Sequence, residues 1–445
     1  MSRRRGRRRQ PLPTDPVRAV IDDLTQDGRG VAHVDGKATF IDGALPGETV
    51  AFVYTALSRS YDEGRVVEVI NASDDRVEPH CPHFAICGGC SLQHLRAEQQ
   101  IALKQKALLD SFERIGNVAP QQVLAPLRGP HSGYRRKARL GVKYVHKKEA
   151  LLLGFREKRS SLLAELDQCD ILHPQVGHRF DKLKALIAGL TLYERIPQIE
   201  VAVGDDVTAL VFRHLEPLHD DDLAQLRDFG EREGMEIYLQ PKGPDTVTLL
   251  WPEKTRLSYR LDEYGLEFRI RPLDFIQVNA ELNHKMIAHA LALLDPQPDE
   301  RILDLFCGLG NFSLPLARSA AQVVGVEGSA ALVARARECA AHNGIDNVEF
   351  HAADLSLDPS QASWFGGGFD KILLDPPRAG ALDIIQHLSI FKASRIVYVS
   401  CNPATLARDA SDIVNKHGYR LVSAGVMDMF PHTNHVESIA LFEKE

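Results

Sequence analysis

The sequence predicts a mixed α/β protein in three folded parts: a small N-terminal β-barrel, a central α+β region and a doubly wound C-terminal domain. Three observations carry this expectation. Residues 17–71 are short β-branched runs broken by turn glycines, the rhythm of a small all-β barrel. From residue 271 strands alternate with helices, which gives a sheet covered on both faces. Between them, residues 72–270 mix alternating apolar and basic strands with helical periodicity, so a mostly antiparallel sheet with packed helices is expected.

Composition narrows the class. The chain has 445 residues, 44 % hydrophobic and 25 % charged, an ordinary globular balance with room for several domains. No run approaches the roughly 18 uninterrupted apolar residues of a membrane span. The arginine-rich start is followed by no apolar run, so a secretory leader is not expected. Seven unevenly spaced cysteines suit thiols or ligands in a reducing compartment better than a disulfide framework, and the expected location is cytoplasmic. The net charge is −7, yet residues 3–9 hold six arginines, and residues 134–148 hold seven Lys or Arg and no carboxylate. Basic patches on an acidic body point to nucleic acid; a solvated charged face is the plainer alternative.

Taken in order, residues 1–16 form a basic arm with three prolines. Strands are expected at 37–41, 49–54 and 64–70 of the barrel. Its pieces Asp27-Gly-Arg-Gly-Val-Ala32 and Ala44-Leu-Pro-Gly-Glu48 resemble the TRAM domain, a small OB-like RNA-binding barrel. Next comes Cys81-Pro-His-Phe-Ala-Ile-Cys87-Gly-Gly-Cys90. Three thiols in so short a loop, with glycines freeing the backbone, read as a metal site. Cys169 is the other cysteine before the C-terminal domain, and His80, His83 or His94 could replace it as fourth ligand. Zinc and an iron–sulfur cluster both accept such donors.

A helix is expected at 92–115, then strands at 139–145, 151–155, 200–203, 207–212 and 246–250, with helices at 176–190 and 220–233. In the C-terminal domain strands are expected at 301–306, 322–326, 348–351, 369–374, 396–400, 420–427 and 438–442. Helices fall between them at 283–294, 312–319, 329–343 and 404–416.

The first of these strands ends in Asp304-Leu-Phe-Cys-Gly308-Leu-Gly310-Asn311. A strand, a glycine turn and a helix make a nucleotide-type site, and the absence of GxGxxG disfavours a pyrophosphate-binding dehydrogenase. The next strand ends at Glu327, placed to accept ribose hydroxyls. Asp354 follows the third, placed to accept from an adenine amino group, and Asp375-Pro-Pro-Arg378 follows the fourth. This ordered series of acids resembles the Rossmann-like fold of S-adenosylmethionine-dependent methyltransferases. Cys307 and Cys339 read as packing residues.

Cys401 lies between a buried strand and Asn402-Pro403, an N-cap and first-position pair that should start a helix. The positive end of that helix should push the thiol toward thiolate; an inert buried cysteine is the alternative. A thiolate has a use here. Carbon 5 of uracil is too weak a nucleophile to take a methyl from a sulfonium until a thiolate adds at carbon 6. A base must then remove the carbon 5 proton, and Glu437 in Phe430-Pro-His-Thr-Asn-His-Val-Glu437 is the candidate. His432, His435 and Glu437 also permit a zinc reading.

Asp375-Pro-Pro-Arg378, Ser400-Cys-Asn-Pro-Ala-Thr-Leu-Ala-Arg-Asp409 and Pro431-His-Thr-Asn-His-Val-Glu437 resemble the RNA 5-methyluridine methyltransferase family. The barrel and the four cysteines are similar to its 23S ribosomal RNA branch. The resemblance implies Cys401 as nucleophile and Glu437 as proton acceptor. It implies S-adenosylmethionine on Gln277, Phe306, Asn311, Glu327, Asp354 and Asp375, and a 4Fe-4S cluster on Cys81, Cys87, Cys90 and Cys169. The expected partner is 23S ribosomal RNA, with the target uridine flipped or looped out, no membrane, and a monomeric protein. Two rivals remain: a transfer RNA enzyme of the same family, and a non-catalytic RNA-binding iron–sulfur sensor.

Overall fold

A computed structural model describes residues 12–445, so most of the arginine arm lies outside the described residues. The chain divides into two compact units. One holds the chain through Phe84, together with Cys90–Lys104 and His432–Asn434.

In this unit six strands form a single sheet. In spatial order they are Val17–Val20, Thr49–Leu57, Asp62–Asn71, Lys37–Asp42, Arg29–Val34 and Asp23–Leu24. Strand residues Ile41, Val50 and Phe52, with Ile21 from the connection after the first strand, make the core. Gly28 sits at φ +81°, and a Cβ there would come within 2.7 Å of Leu92, so the turn needs glycine for both reasons. The expected helix starts late: it spans Ala97–Ser111. Leu95 pairs with Arg76, and the Arg96 amide donates to the Asp75 carbonyl at 2.9 Å. Those backbone bonds to a distant segment hold residues 92–96 out of the helix.

The second unit holds two large sheets and a two-stranded one. The central one has six strands in the order Thr248–Trp251, Met235–Gln240, Thr208–Arg213, Gln198–Val203, Lys137–Val145 and Ala150–Gly154. It is mostly antiparallel, as expected, but Met235–Gln240 was not among the expected strands. It runs parallel to Thr208–Arg213, joined to it through the helix Asp220–Glu233. Helix Phe180–Gly189 and that helix bury Leu183, Ile187, Leu226 and Phe229 with the sheet. A two-stranded ribbon, Ser258–Leu261 with Leu266–Arg269, follows.

The C-terminal sheet has eight strands. In order they are Val348–Ala352, Gln322–Glu327, Arg301–Leu305, Lys371–Leu374, Arg395–Ser400, Glu437–Lys444, Tyr419–Met427 and Gln122–Val123. The first five run parallel, with Glu437–Lys444 antiparallel between its neighbours. Chain order reverses between Arg301–Leu305 and Lys371–Leu374, the point where such sheets open a ligand crevice at their carboxyl ends. Residues from earlier in the chain, Gln122–Val123, pair parallel with Tyr419–Met427 at the sheet edge. Among the described residues no helix is long and apolar enough to cross a membrane.

Candidate active site

At the chain reversal lies a cavity of about 760 Å³ lined by Gln277, Phe306, Asn311, Glu327, Asp354, Asp375, Arg378, Cys401 and Glu437. Most follow or begin a strand, while Gln277 precedes helix Ala280–Leu294 and Asn311 precedes helix Ser313–Ala317. Phe306 follows the first strand with φ +66°, a conformation bulky residues rarely hold without a functional reason. Both its amide and that of Cys307 donate to the Val326 carbonyl, at 2.8 and 3.1 Å, which turns the glycine loop over the neighbouring strand. Glu327 ends that strand and accepts from the Gly308 and Ser329 amides at 3.3 and 3.0 Å. Asp354 stands at the exposed rim and accepts from the Ser356 amide and hydroxyl at 3.0 and 2.7 Å, bonds that hold its carboxyl below the usual range.

Asp304 does not line this cavity. It is fully buried and accepts from the Ser313 hydroxyl, behind the glycine loop. Burial pushes its carboxyl up to about 7, and the Asp375 charge adds to the effect. Asp375 itself is pushed up to about 7 by burial.

Cys401 is half-buried at the end of strand Arg395–Ser400. The helix Pro403–Asn415 starts where expected, and the Asn402 side chain accepts from the Ala404 amide at 3.1 Å. The strand ladder ends at the pair Ser400–Ser438, and just beyond it Cys401 and Glu437, which is 8 % exposed, both line the cavity. One expectation needs correction. Burial pushes the Cys401 thiol up, not down, and the carboxylates of Glu437 and Asp375 reinforce that against the opposing Arg378. Desolvation is the largest cause, and the two nearby carboxylates add to it.

The two histidines considered for zinc have different partners. The backbone carbonyl of His432 accepts from the Ser91 and Leu92 amides at 2.9 and 3.0 Å, whereas His435 Nδ1 lies 3.1 Å from Arg378 Nη2.

Residues 96–359 match the tRNA (uracil-5-)-methyltransferase family, more than half of the chain. The chain belongs to that family. Two further matches cover a methyltransferase domain at 296–439 and a TRAM domain at 16–69. The chain is 57 % identical over 438 residues to the 23S rRNA (uracil(1939)-C(5))-methyltransferase RlmD of Methylococcus capsulatus, covering 98 % of this chain and 99 % of that protein. It is 56 % identical to the RlmD of Xanthomonas campestris pv. campestris, covering 99 % and 100 %. Among solved structures, Pyrococcus abyssi tRNA (uracil-54, C5)-methyltransferase in complex with S-adenosyl-L-homocysteine superposes with a TM-score of 0.72 at 25 % identity, covering 96 % of this chain and 99 % of that one. The uracil-5 methyltransferases depend on S-adenosylmethionine, and the strand-end acids here are the groups such a cofactor needs.

Two partners of Asn311, Tyr259 and Asn283, escaped the sequence reading. Asn311 exchanges hydrogen bonds with Asn283 at 2.9 and 3.2 Å and accepts from the Tyr259 hydroxyl at 3.1 Å. Those partners come from the ribbon and from helix Ala280–Leu294, and no local signal marks them. The basic run also behaves differently from a bare phosphate clamp. Arg136 pairs with Asp205, Arg139 with Glu200, and the Lys137 ammonium is buried against the Pro272 carbonyl, while Lys143 and Lys147 face solvent.

The four cysteines expected to hold a cluster are all half-buried. Cys81 and Cys90 belong to the first unit, Cys87 and Cys169 to the second. The Gly89 amide donates to Cys87 Sγ at 3.4 Å. A Cβ on Gly177 would come within 2.2 Å of the Cys169 carbonyl, so that glycine permits the close approach. Among the described residues no three His, Cys, Asp or Glu side chains are grouped as a metal site.

Proposed function

We propose that this protein transfers a methyl group from S-adenosylmethionine to carbon 5 of a uridine in 23S ribosomal RNA, with Cys401 as nucleophile and Glu437 as proton acceptor. The observation that carries the chemistry is that Cys401 and Glu437 line the same cavity, with the Glu437 charge acting on the Cys401 thiol. The RNA assignment is supported by relatives matched end to end at 57 % and 56 % identity that bear that activity in their names.

S-adenosylmethionine, when bound, supplies an electrophilic methyl. Glu327, Asp354 and Asp375 would hold the cofactor, accepting from its ribose hydroxyls, adenine amino group and ammonium, and Gln277, Phe306 and Asn311 would complete the pocket. Cys401 gives its proton to solvent and its thiolate sulfur adds to uracil carbon 6, moving an electron pair onto the ring as an enolate. Carbon 5 bonds the methyl carbon as the donor's carbon–sulfur bond breaks. Glu437 then takes the carbon 5 proton, and the carbon 6–sulfur bond breaks to release Cys401. The base must leave its stack to reach this cavity, and the TRAM unit is suited to hold the flanking strand.

Cys81, Cys87, Cys90 and Cys169 are proposed to hold a 4Fe-4S cluster. The donor chemistry supports it: four thiols, one already accepting a backbone N–H as cluster ligands do. Such a group supplies a rigid cross-link or a one-electron site. The protein is proposed to act as a monomer in the cytoplasm. A transfer RNA substrate is the second reading, favoured by the structural neighbour's activity.

An RNA carrying 5-fluorouridine at the target tests the chemistry, because fluorine cannot leave as a proton and the thioether persists. Wild-type protein with cofactor should give a denaturation-resistant adduct, and Cys401→Ala none. Absence of the adduct with a verified substrate, or its formation by Cys401→Ala, rejects the nucleophile. Methylation mapping across ribosomal and transfer RNA decides between the substrates.

A further inference from the structure

The helix that follows Cys401 carries a carboxylate, Asp409, on its buried face, with 0 % exposure. Its Oδ2 accepts from the Tyr398 hydroxyl and from the Ala381 amide, both at 2.7 Å. Its Oδ1 accepts from Arg408 Nε at 2.8 Å and Nη2 at 2.7 Å. Arg408 Nη2 also donates to the Ala379 carbonyl at 2.9 Å. Gly380 lies between these contacts at φ +82°, and a Cβ there would fall 2.6 Å from both Arg408 Nη2 and Asp409 Oδ2. Nearer the helix start, the Arg378 carbonyl accepts from Asn402 Nδ2 at 3.1 Å and Thr405 Oγ1 at 3.3 Å.

The loop 375–381, which carries Asp375 and Arg378, is therefore tied at Arg378, Ala379 and Ala381 to the one helix whose first turn abuts Cys401. Asp409 is buried while the Arg408 side chain is 39 % exposed, and an ion pair so placed is a poor way to gain stability. It is a good way to fix one backbone segment against another, because a forked guanidinium and a carboxylate accept a single geometry.

We propose that Arg408 and Asp409 are a positioning pair for methyl transfer: they hold the 375–381 loop in register with the helix behind Cys401, so that Arg378 and Asp375 face the nucleophile across the cavity. This rests on Cys401 being the nucleophile. Neither residue lines the cavity, so their effect passes through the loop.

The test is single-turnover adduct formation by the full-length protein on 5-fluorouridine RNA at saturating S-adenosylmethionine. For Asp409→Asn the rate constant should fall about tenfold or more at unchanged amplitude per folded protein, with affinities for RNA and S-adenosylhomocysteine within about threefold of wild type. Arg408→Lys, which keeps the charge and loses the fork, should fall between. A merely structural role would lower the amplitude and leave the rate constant alone, and that result overturns the proposal, as does an unchanged rate constant in folded Asp409→Asn. If Asp409→Asn does not fold, Tyr398→Phe and Arg408→Lys are read by the same rate constant, and wild-type rates in both reject the pair. A wild-type protein that forms no adduct rejects the nucleophile itself, whereas wild-type adduct with unaffected variants rejects only this pair.

Discussion

Cys401 directly follows strand Arg395–Ser400, and Glu437 begins the strand Glu437–Lys444 that pairs antiparallel with it. A nucleophile and a base held on adjacent strands need no loop to order before they act on the two faces of one ring bond. Glu437→Gln should therefore still form the thioether but fail to release it. Methylated RNA should remain covalently attached, and turnover should drop about 10²- to 10⁴-fold. Denaturing electrophoresis of labelled RNA and multiple-turnover methyl transfer check this; turnover within tenfold of wild type removes Glu437 as the base.

Asp304 and Asp375 are both pushed by burial from 3.8 up to about 7. The folded protein thus holds protons between about pH 4 and pH 7 that the unfolded chain releases. Their contribution to stability is present below about pH 4 and is lost as pH rises through 7. The ligand-free Tm should fall across that window, and Asp375→Asn should flatten part of the fall. S-adenosylhomocysteine, whose ammonium needs an ionised partner, should bind more tightly at pH 8 than at pH 6. Calorimetric titrations at the two pH values measure it, and equal affinities would contradict the assignment of Asp375.

Anaerobically purified protein should contain about four iron and four sulfide per chain, and Cys169→Ser should lower both. Metal and sulfide analysis reads the result without reference to activity. Stoichiometric zinc with no iron would reject the cluster.

Glu48 is fully buried in the TRAM unit and accepts from Arg76 Nε and Nη2 at 2.5 and 2.8 Å and from the Leu45 amide at 2.8 Å. Glu48→Ala strands a half-buried guanidinium and should destabilise this unit by about 3 kcal/mol. Denaturant unfolding of wild type and variant checks the value; a change under about 0.5 kcal/mol, the ordinary surface range, would show that solvent replaces the pair.

What sequence makes legible here is what local chemistry determines. Asn402 and Pro403 announce a helix start, and the strand ends at Glu327 and Asp375 follow from apolar runs, so much of the cofactor wall could be named in advance. Features that depend on register or distance could not. Met235–Gln240 does alternate, with Met235, Ile237 and Leu239 apolar and Glu236, Tyr238 and Gln240 polar, but the signal is six residues long and begins one glycine after the helix Asp220–Glu233. Tyr259 and Asn283 reach Asn311 from distant segments. The direction of the Cys401 thiol was misjudged because its two opposing carboxylates arrive only through folding, while the helix end is visible in the sequence.

The two-residue strand Gln122–Val123 has a consequence for dissecting the protein. Around it, the Gln121, Leu124 and Leu127 amides donate to carbonyls of Leu421, Ala424 and Val426 at 3.1, 2.8 and 3.0 Å, capping the outer side of Tyr419–Met427. A fragment cut at residue 271 would strip that cap and leave a nine-residue apolar strand with a naked edge, the template on which chains stack into aggregates. An expressible catalytic fragment has to reach back past Gln121, and so must carry the central sheet with it.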